Sequence, residues 1–150
     1  MNGVGVIIRP IRPDERAVWE PLWQAYLAFY ETTVPDSVTD ITWTRLHDPA
    51  EPMFALGAYV DGTLKGIVQY LFHRSHWTVG DYCYLQDLIV APDARNLGLG
   101  RALIAAVEAK AREAGASRVY WHTNEDNHTA RALYDKVAEL SGFIQYRKVF

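Results

Sequence analysis

The segment Arg95-Asn96-Leu97-Gly98-Leu99-Gly100 stands between an apolar run, Tyr82–Val90, and a stretch of helical periodicity that begins at Gly100. Several backbone N–H groups converge at such a helix start, where unpaired amides and the positive end of the helix dipole favour an anion. Gly98 and Gly100 permit close backbone approach and unusual φ values. A pyrophosphate is the natural occupant, although two spaced glycines also suit a plain tight turn. The dinucleotide fingerprint would require a third small residue where the chain has Leu103, and the nucleotide P-loop would require Gly-Lys-Ser/Thr where it has Gly100-Arg101-Ala102.

Other groups able to do chemistry are few. Tyr134 carries a phenol whose ordinary pKa of about 10 is close to that of a thiol, which suits proton exchange with sulfur; a core aromatic on a helix face is the plainer reading. Asn127 could touch a ligand, and an Asn at a helix start is equally an N-cap. Cys83 is the single cysteine, which excludes an intrachain disulfide or a multi-thiolate zinc site and fits a cytoplasmic, reducing setting. His73 with His76 and His122 with His128 lack the i, i+4 spacing of a helical zinc pair, so no metal is expected. Trp19, Trp23, Tyr26 and Tyr30 recur at helical spacing, which core packing explains more simply than an aromatic cage.

The elements that must position these residues can be read from periodicity and punctuation. Val4, Val6, Ile7, Ile8 and Ile11 suggest a first strand, with Asp14 as the N-cap of a helix over 15–30. A second helix is expected over 38–46, burying Ile41, Trp43 and Leu46. Met53–Val60 and Lys65–Phe72 flank Asp61-Gly62, a hairpin signal, and Tyr82–Val90 is a further strand. Gly100–Ala114 predicts an amphipathic helix stopped at Gly115, followed by a strand at 118–123, a helix at 127–137 and a last strand at 143–149. The order β-α-α-β-β-β-α-β-α-β gives an α/β fold with a mixed, mostly antiparallel central sheet flanked by helices.

The chain has 150 residues, 49% of them hydrophobic and 22% charged, which fits one domain over 1–150 with a packed core. A net charge of −3 supplies no basic field for nucleic acid. Neither a secretory leader pattern at Met1–Arg9 nor a run of 18 apolar residues is present, so no membrane partner is expected.

Three motifs in order, namely Leu85–Val90 with Arg95-x-x-Gly98-x-Gly100, then Asn124-Glu125-Asp126-Asn127, then Ala130-Arg131-Ala132-Leu133-Tyr134, resemble the GCN5-related N-acetyltransferase (GNAT) family. The stretch from Tyr120 to Lys136 looks most like the Hpa2-like histone and polyamine acetyltransferases. The resemblance covers roughly residues 53–150 and implies the GNAT fold, acetyl-CoA as cosubstrate, and direct transfer to a primary amine of a polyamine, an amino-acid-like molecule or a basic peptide. It assigns the pantetheine arm to the main chain of Leu88, Ile89 and Val90, and the pyrophosphate to Arg95, Asn96, Leu97, Gly98, Leu99, Gly100 and Arg101. Asn127 and Ala130 match further cofactor-binding positions, and Tyr134 matches the acid that protonates the departing thiolate. Gln86 stands where related polyamine enzymes have Glu. An amide is no base at neutral pH, so Gln86 is expected to hold a water that relays the proton. Asp87 is the alternative, although strand alternation would put it on the opposite face. The missing glutamate leaves a non-catalytic CoA-binding module as the competing reading. The family also implies a homodimer made through the final strands.

Overall fold

The computed structural model describes residues 5–150. Its order is β1 (Val6–Pro10), α1 (Arg16–Phe29), α2 (Asp36–Leu46), β2 (Met53–Val60), β3 (Thr63–His73), β4 (Tyr82–Val90), α3 (Leu99–Glu113), β5 (Arg118–Tyr120) and α4 (His128–Val137), with a short 3-10 turn at Pro92–Ala94 before α3. The five strands form one sheet in the order β1-β2-β3-β4-β5. All neighbours are antiparallel except β4 and β5, which the α3 crossover makes parallel. Val4 lies outside the described residues.

The sheet is covered on both faces. Leu99, Leu103, Ile104, Val107 and Ala111 of α3 pack with Val68, Tyr70, Cys83 and Leu85 on one side. Trp19 of α1 packs with Tyr59, Ile67 and Ile89 on the other, with Trp43 of α2 against them. Asp61 and Gly62 have φ of 48° and 86°, and two consecutive positive values give the tight turn whose twist matches a hairpin. Glu15, rather than Asp14, occupies the cap position of α1. Its carboxylate accepts from Arg9 at 2.8 and 3.1 Å, from the Arg12 amide at 2.8 Å and from the Tyr59 hydroxyl at 3.0 Å, tying the start of α1 to the sheet. In α2 it is Thr39 that is fully buried, while Ile41 faces solvent.

Two features of the sheet position the site. The β3 register runs Gln69 opposite Asp87 and Tyr70 opposite Leu85, so Gln86 is an extra residue and β4 carries a bulge there. A bulge breaks the two-residue alternation. Cys83 and Leu85 therefore face α3, whereas Ile89 faces α1. The second feature is a mismatch of lengths: β5 pairs only Arg118–Tyr120 against Tyr82–Tyr84.

The strand expected at 143–149 is not formed. Residues 138–150 run without regular structure, and Phe143, Ile144, Tyr146 and Val149 are each at least 78% exposed. Alternating apolar residues supply a strand's pattern but not its partner, and a lone extended segment has nothing against which to bond its backbone.

Candidate active site

The site begins with the backbone of β4. Among the described residues no strand pairs with the β5-facing edge of β4 past Tyr84, leaving main-chain groups of Leu85–Val90 available to an extended ligand. Leu88 and Val90 turn their side chains into the α3-side core and Ile89 into the opposite one, so what these residues offer a ligand is main chain.

At the end of β4 the chain passes the 3-10 turn and enters α3 through a loop held open by two left-handed residues, Asn96 at φ 69° and Gly98 at φ 73°. Gly98 occupies the cap position and no side chain caps the helix, so its first amides are free to meet an anion. A Cβ added at Gly98 would meet nothing within 4 Å, and one at Gly100 would stand 3.5 Å from Leu133 and 3.9 Å from Leu88. The glycines therefore serve backbone conformation and an open approach, and Gly100 is where α3, α4 and β4 converge. Arg95, Asn96, Leu97 and Arg101 are exposed around this opening, whereas the Leu99 side chain is buried beneath it. Asp93 is held in place by Lys65 at 2.8 Å.

Helix α4 closes the other side. The Asn127 side chain accepts from the Ala130 amide at 3.3 Å, so it acts as the helix cap. One helical turn beyond Ala130, Tyr134 packs edge-on against Trp121, with ring centres 5.5 Å apart. Burial, with a smaller contribution from Tyr30, raises the Tyr134 phenol above its ordinary pKa and keeps it protonated at neutral pH.

Between α1, α2 and the sheet lies a cavity of about 350 Å³ lined by both Gln86 and Asp87. The bulge corrects the expectation that these neighbours face opposite ways, because it turns both toward one space. Gln86 is exposed and Asp87 is 9% exposed. Behind Asp87 runs a buried chain of hydrogen bonds: Trp19 Nε1–H donates to Gln69 Oε1 at 2.9 Å, and Gln69 Nε2–H donates to Asp87 Oδ2 at 2.8 Å. Trp19 fixes which way the Gln69 amide points, and so fixes its donor toward the carboxylate. The Tyr26 hydroxyl also approaches Asp87. Burial nevertheless dominates and raises the Asp87 pKa.

The chemistry of Asp87 and Gln69 escapes strand periodicity. The available signal was a polar amide, Gln69, inside the apolar stretch Ile67-Val68-Gln69-Tyr70-Leu71. Elsewhere, Cys83 is fully buried, with its thiol pushed up to about 11, and is unsuited to carrying an acetyl group. His73 Nε2 lies 2.7 Å from the Tyr120 hydroxyl and His122 Nδ1 3.3 Å from that of Tyr84. Among the described residues no three His, Cys, Asp or Glu side chains gather where they could hold a metal ion, and no helix is long and apolar enough to cross a membrane.

The family model described as "Acetyltransferase (GNAT) family" matches residues 18–138, which include every element from β2 to α4. The chain belongs to the GNAT acetyltransferase family. As a GNAT protein it is an acetyl-transferring enzyme, and the idle binding module gives way to that assignment. It is 34% identical over 145 residues to the D-amino-acid N-acetyltransferase HPA3 of Saccharomyces cerevisiae, covering 95% of this chain and 90% of that one. Among solved structures it resembles a ribosomal-protein-alanine N-acetyltransferase from Brucella melitensis biovar Abortus 2308, with a TM-score of 0.79 and 25% identity over 97% of this chain and 100% of that one. The aminoglycoside N-acetyltransferase AAC(6')-Iy, in complex with a CoA-S-monomethyl-acetylneamine bisubstrate analogue, shares the fold at a TM-score of 0.82 and 19% identity, over 97% of this chain and 99% of that one. The GNAT fold expected from the sequence is the fold observed.

Proposed function

We propose that this GNAT enzyme takes the acetyl group of acetyl-CoA and transfers it directly to the primary amine of a small molecule held in the cavity beside Gln86 and Asp87. The observation that carries the reading is the open edge of β4, which leads from the uncapped start of α3 to the bulge at Gln86. One continuous strand thereby links an anion site to an amine site.

The residues present suit acetyl-CoA. Free amides at Gly98–Arg101, with Arg95 and Asn96 beside them, would hold the pyrophosphate, and the main chain of Leu88–Val90 would pair with the pantetheine arm. Asn127 and Ala130 would border the arm from α4. Acetyl-CoA supplies a thioester carbonyl open to attack by an amine. The enzyme's own task is to orient the amine and to move protons. An ammonium must lose one proton before it attacks; a water held by the Gln86 amide takes it, with Asp87 as the adjoining carboxylate sink. Tyr134 donates its phenolic proton to the departing sulfur and regains one from the nitrogen as the amide forms. Overall, the ammonium yields an amide, a thiol and one released proton.

A homodimer accompanies this proposal. The exposed apolar segment 138–150 and the short β5, paired on one side only, supply strand and edge for a second copy. Removing residues 140–150 is expected to shift the sedimenting species from dimer to monomer; an unchanged mass would discard that interface.

The functional test is release of CoA thiol from acetyl-CoA in the presence of primary amines. Amine-dependent release is expected. Tight CoA binding without release across all amine classes would overturn the proposal.

A further inference from the structure

We infer that the acceptor is a primary monoamine with a compact apolar or aromatic body, and that Asp87 receives its ammonium group. This rests on the reading of the cavity as the acceptor site and adds a substrate class to it. Among the described residues whose side chains line the cavity, Asp87 alone is a carboxylate, and none is Lys, Arg or His. Gln69, the donor to Asp87, is neutral, as is the Tyr26 hydroxyl near it. Asp87 is 9% exposed and, among the described residues, no cation lines the cavity with it; a buried carboxylate without a cation either keeps its proton or gains by acquiring one. An ammonium supplies the missing partner.

The remaining walls say what the ammonium is attached to. Trp23, Tyr26, Phe54, Leu27, Leu46 and Leu71 surround the space, offering aromatic faces and aliphatic edges to an apolar body. At about 350 Å³ the cavity is at the small end of ligand pockets, which favours one ring over a multi-ring aminoglycoside.

The same walls select against a second charge. Among the described residues of the lining, the carboxylate of a free amino acid, two bonds from its ammonium, meets no cation to offset Asp87, and the far ammonium of a polyamine meets no second carboxylate. The yeast relative is named for D-amino acids, whose carboxylate finds no cation in this lining. Trp19 and Gln69 serve as positioning residues, since they act on the acceptor only through Asp87.

The test uses the CoA-saturated protein and calorimetric binding of 2-phenylethylamine, D-phenylalanine, L-phenylalanine and spermidine, with thiol release from acetyl-CoA measured on the same four. Phenylethylamine is expected to bind at least about tenfold more tightly than the others, a difference of about 1.4 kcal/mol, and to give the highest kcat/KM. Asp87→Asn should abolish that preference while CoA affinity is retained. Thr42→Arg, which adds a cation to the lining, should raise phenylalanine relative to phenylethylamine without depending on the fold of the Asp87 variant. Spermidine or free phenylalanine equal to or better than phenylethylamine would overturn the inference, as would failure of all four to bind. Turnover of spermidine or phenylalanine at the higher rate would leave acetyl transfer standing and remove only the substrate class, whereas loss of CoA binding in the unaltered protein would remove the underlying proposal.

Discussion

The two halves of the proposed site are built from different parts of the chain's chemistry. On the donor side, from β4 to the start of α3, the groups offered are main-chain amides and carbonyls, shaped by an unpaired strand edge and by φ values of 69° and 73° at Asn96 and Gly98. On the acceptor side, beneath α1 and α2, the groups offered are side chains, with Asp87 oriented by Gln69 and Trp19 in an aromatic setting. A backbone site tolerates many side chains and is recognisable as a glycine pattern. A side-chain site changes its ligand with single substitutions, so relatives of one fold can carry different acceptors.

Substitutions that separate the halves break or sharpen this contrast. The largest effect is expected at their junction. Tyr134→Phe should lower kcat about 100-fold or more while leaving calorimetric CoA affinity within about twofold; equal turnover would take the acid role from Tyr134.

Gly98→Trp comes next and should act on the donor alone. A side chain at φ 73° is strained by about 1–2 kcal/mol, and its ring would stand in the open space over the loop, so CoA affinity should fall about tenfold or more. Gly115→Ala, strained in the same way at φ 78°, serves as the control and should lose stability without losing CoA. If both glycine variants lose CoA equally, the loop does not hold the pyrophosphate.

Asp87→Asn should act on the acceptor alone and carry a distinctive stability signature. Burial raises the folded pKa of Asp87 above its ordinary value, so ionisation opposes folding, and the resulting loss of stability grows as pH rises through the folded value. Asn keeps an oxygen for the Gln69 donor. Thermal unfolding at pH 8 should therefore show an unchanged or higher Tm alongside reduced acceptor turnover; a marked fall in Tm would make Asp87 a structural residue.

The smallest effect, and one foreign to both halves, is expected at Glu15. Hydrogen bonds from Arg9 and neighbouring donors lower its pKa to about 2. Its contribution is present above the ordinary carboxylate range and is lost as pH falls toward 2. Glu15→Gln should cost on the order of 1–2 kcal/mol at pH 7 after solvent screening, less at pH 3, with acetyl transfer unchanged. Denaturant unfolding at the two pH values gives the comparison.

The same contrast explains what could be read from the residues themselves. The donor side was legible because glycine spacing, a preceding apolar strand and a following amphipathic helix are local signals, and β2 and β4 span the residues that periodicity indicates. On the proposed acceptor side Gln86 and Asp87 could be named, but not their shared facing or what holds them. One extra residue at Gln86 inverts the facing of everything after it in β4, and no two-residue pattern announces where a bulge falls. The Trp19–Gln69–Asp87 chain joins residues far apart in sequence, beyond the reach of any local motif. The strand expected at 143–149 misses for a related reason, since pairing is a property of two segments and the alternation of one segment supplies only half of it.

The most direct measurement of the central claim is CoA-thiol release by the purified protein with acetyl-CoA and a panel of primary amines, read beside calorimetric CoA binding. The account predicts CoA binding and amine-dependent thiol release, both saturable. CoA binding with no release for any amine, or amine-dependent release that is unaffected by Tyr134→Phe and Asp87→Asn together, would contradict it.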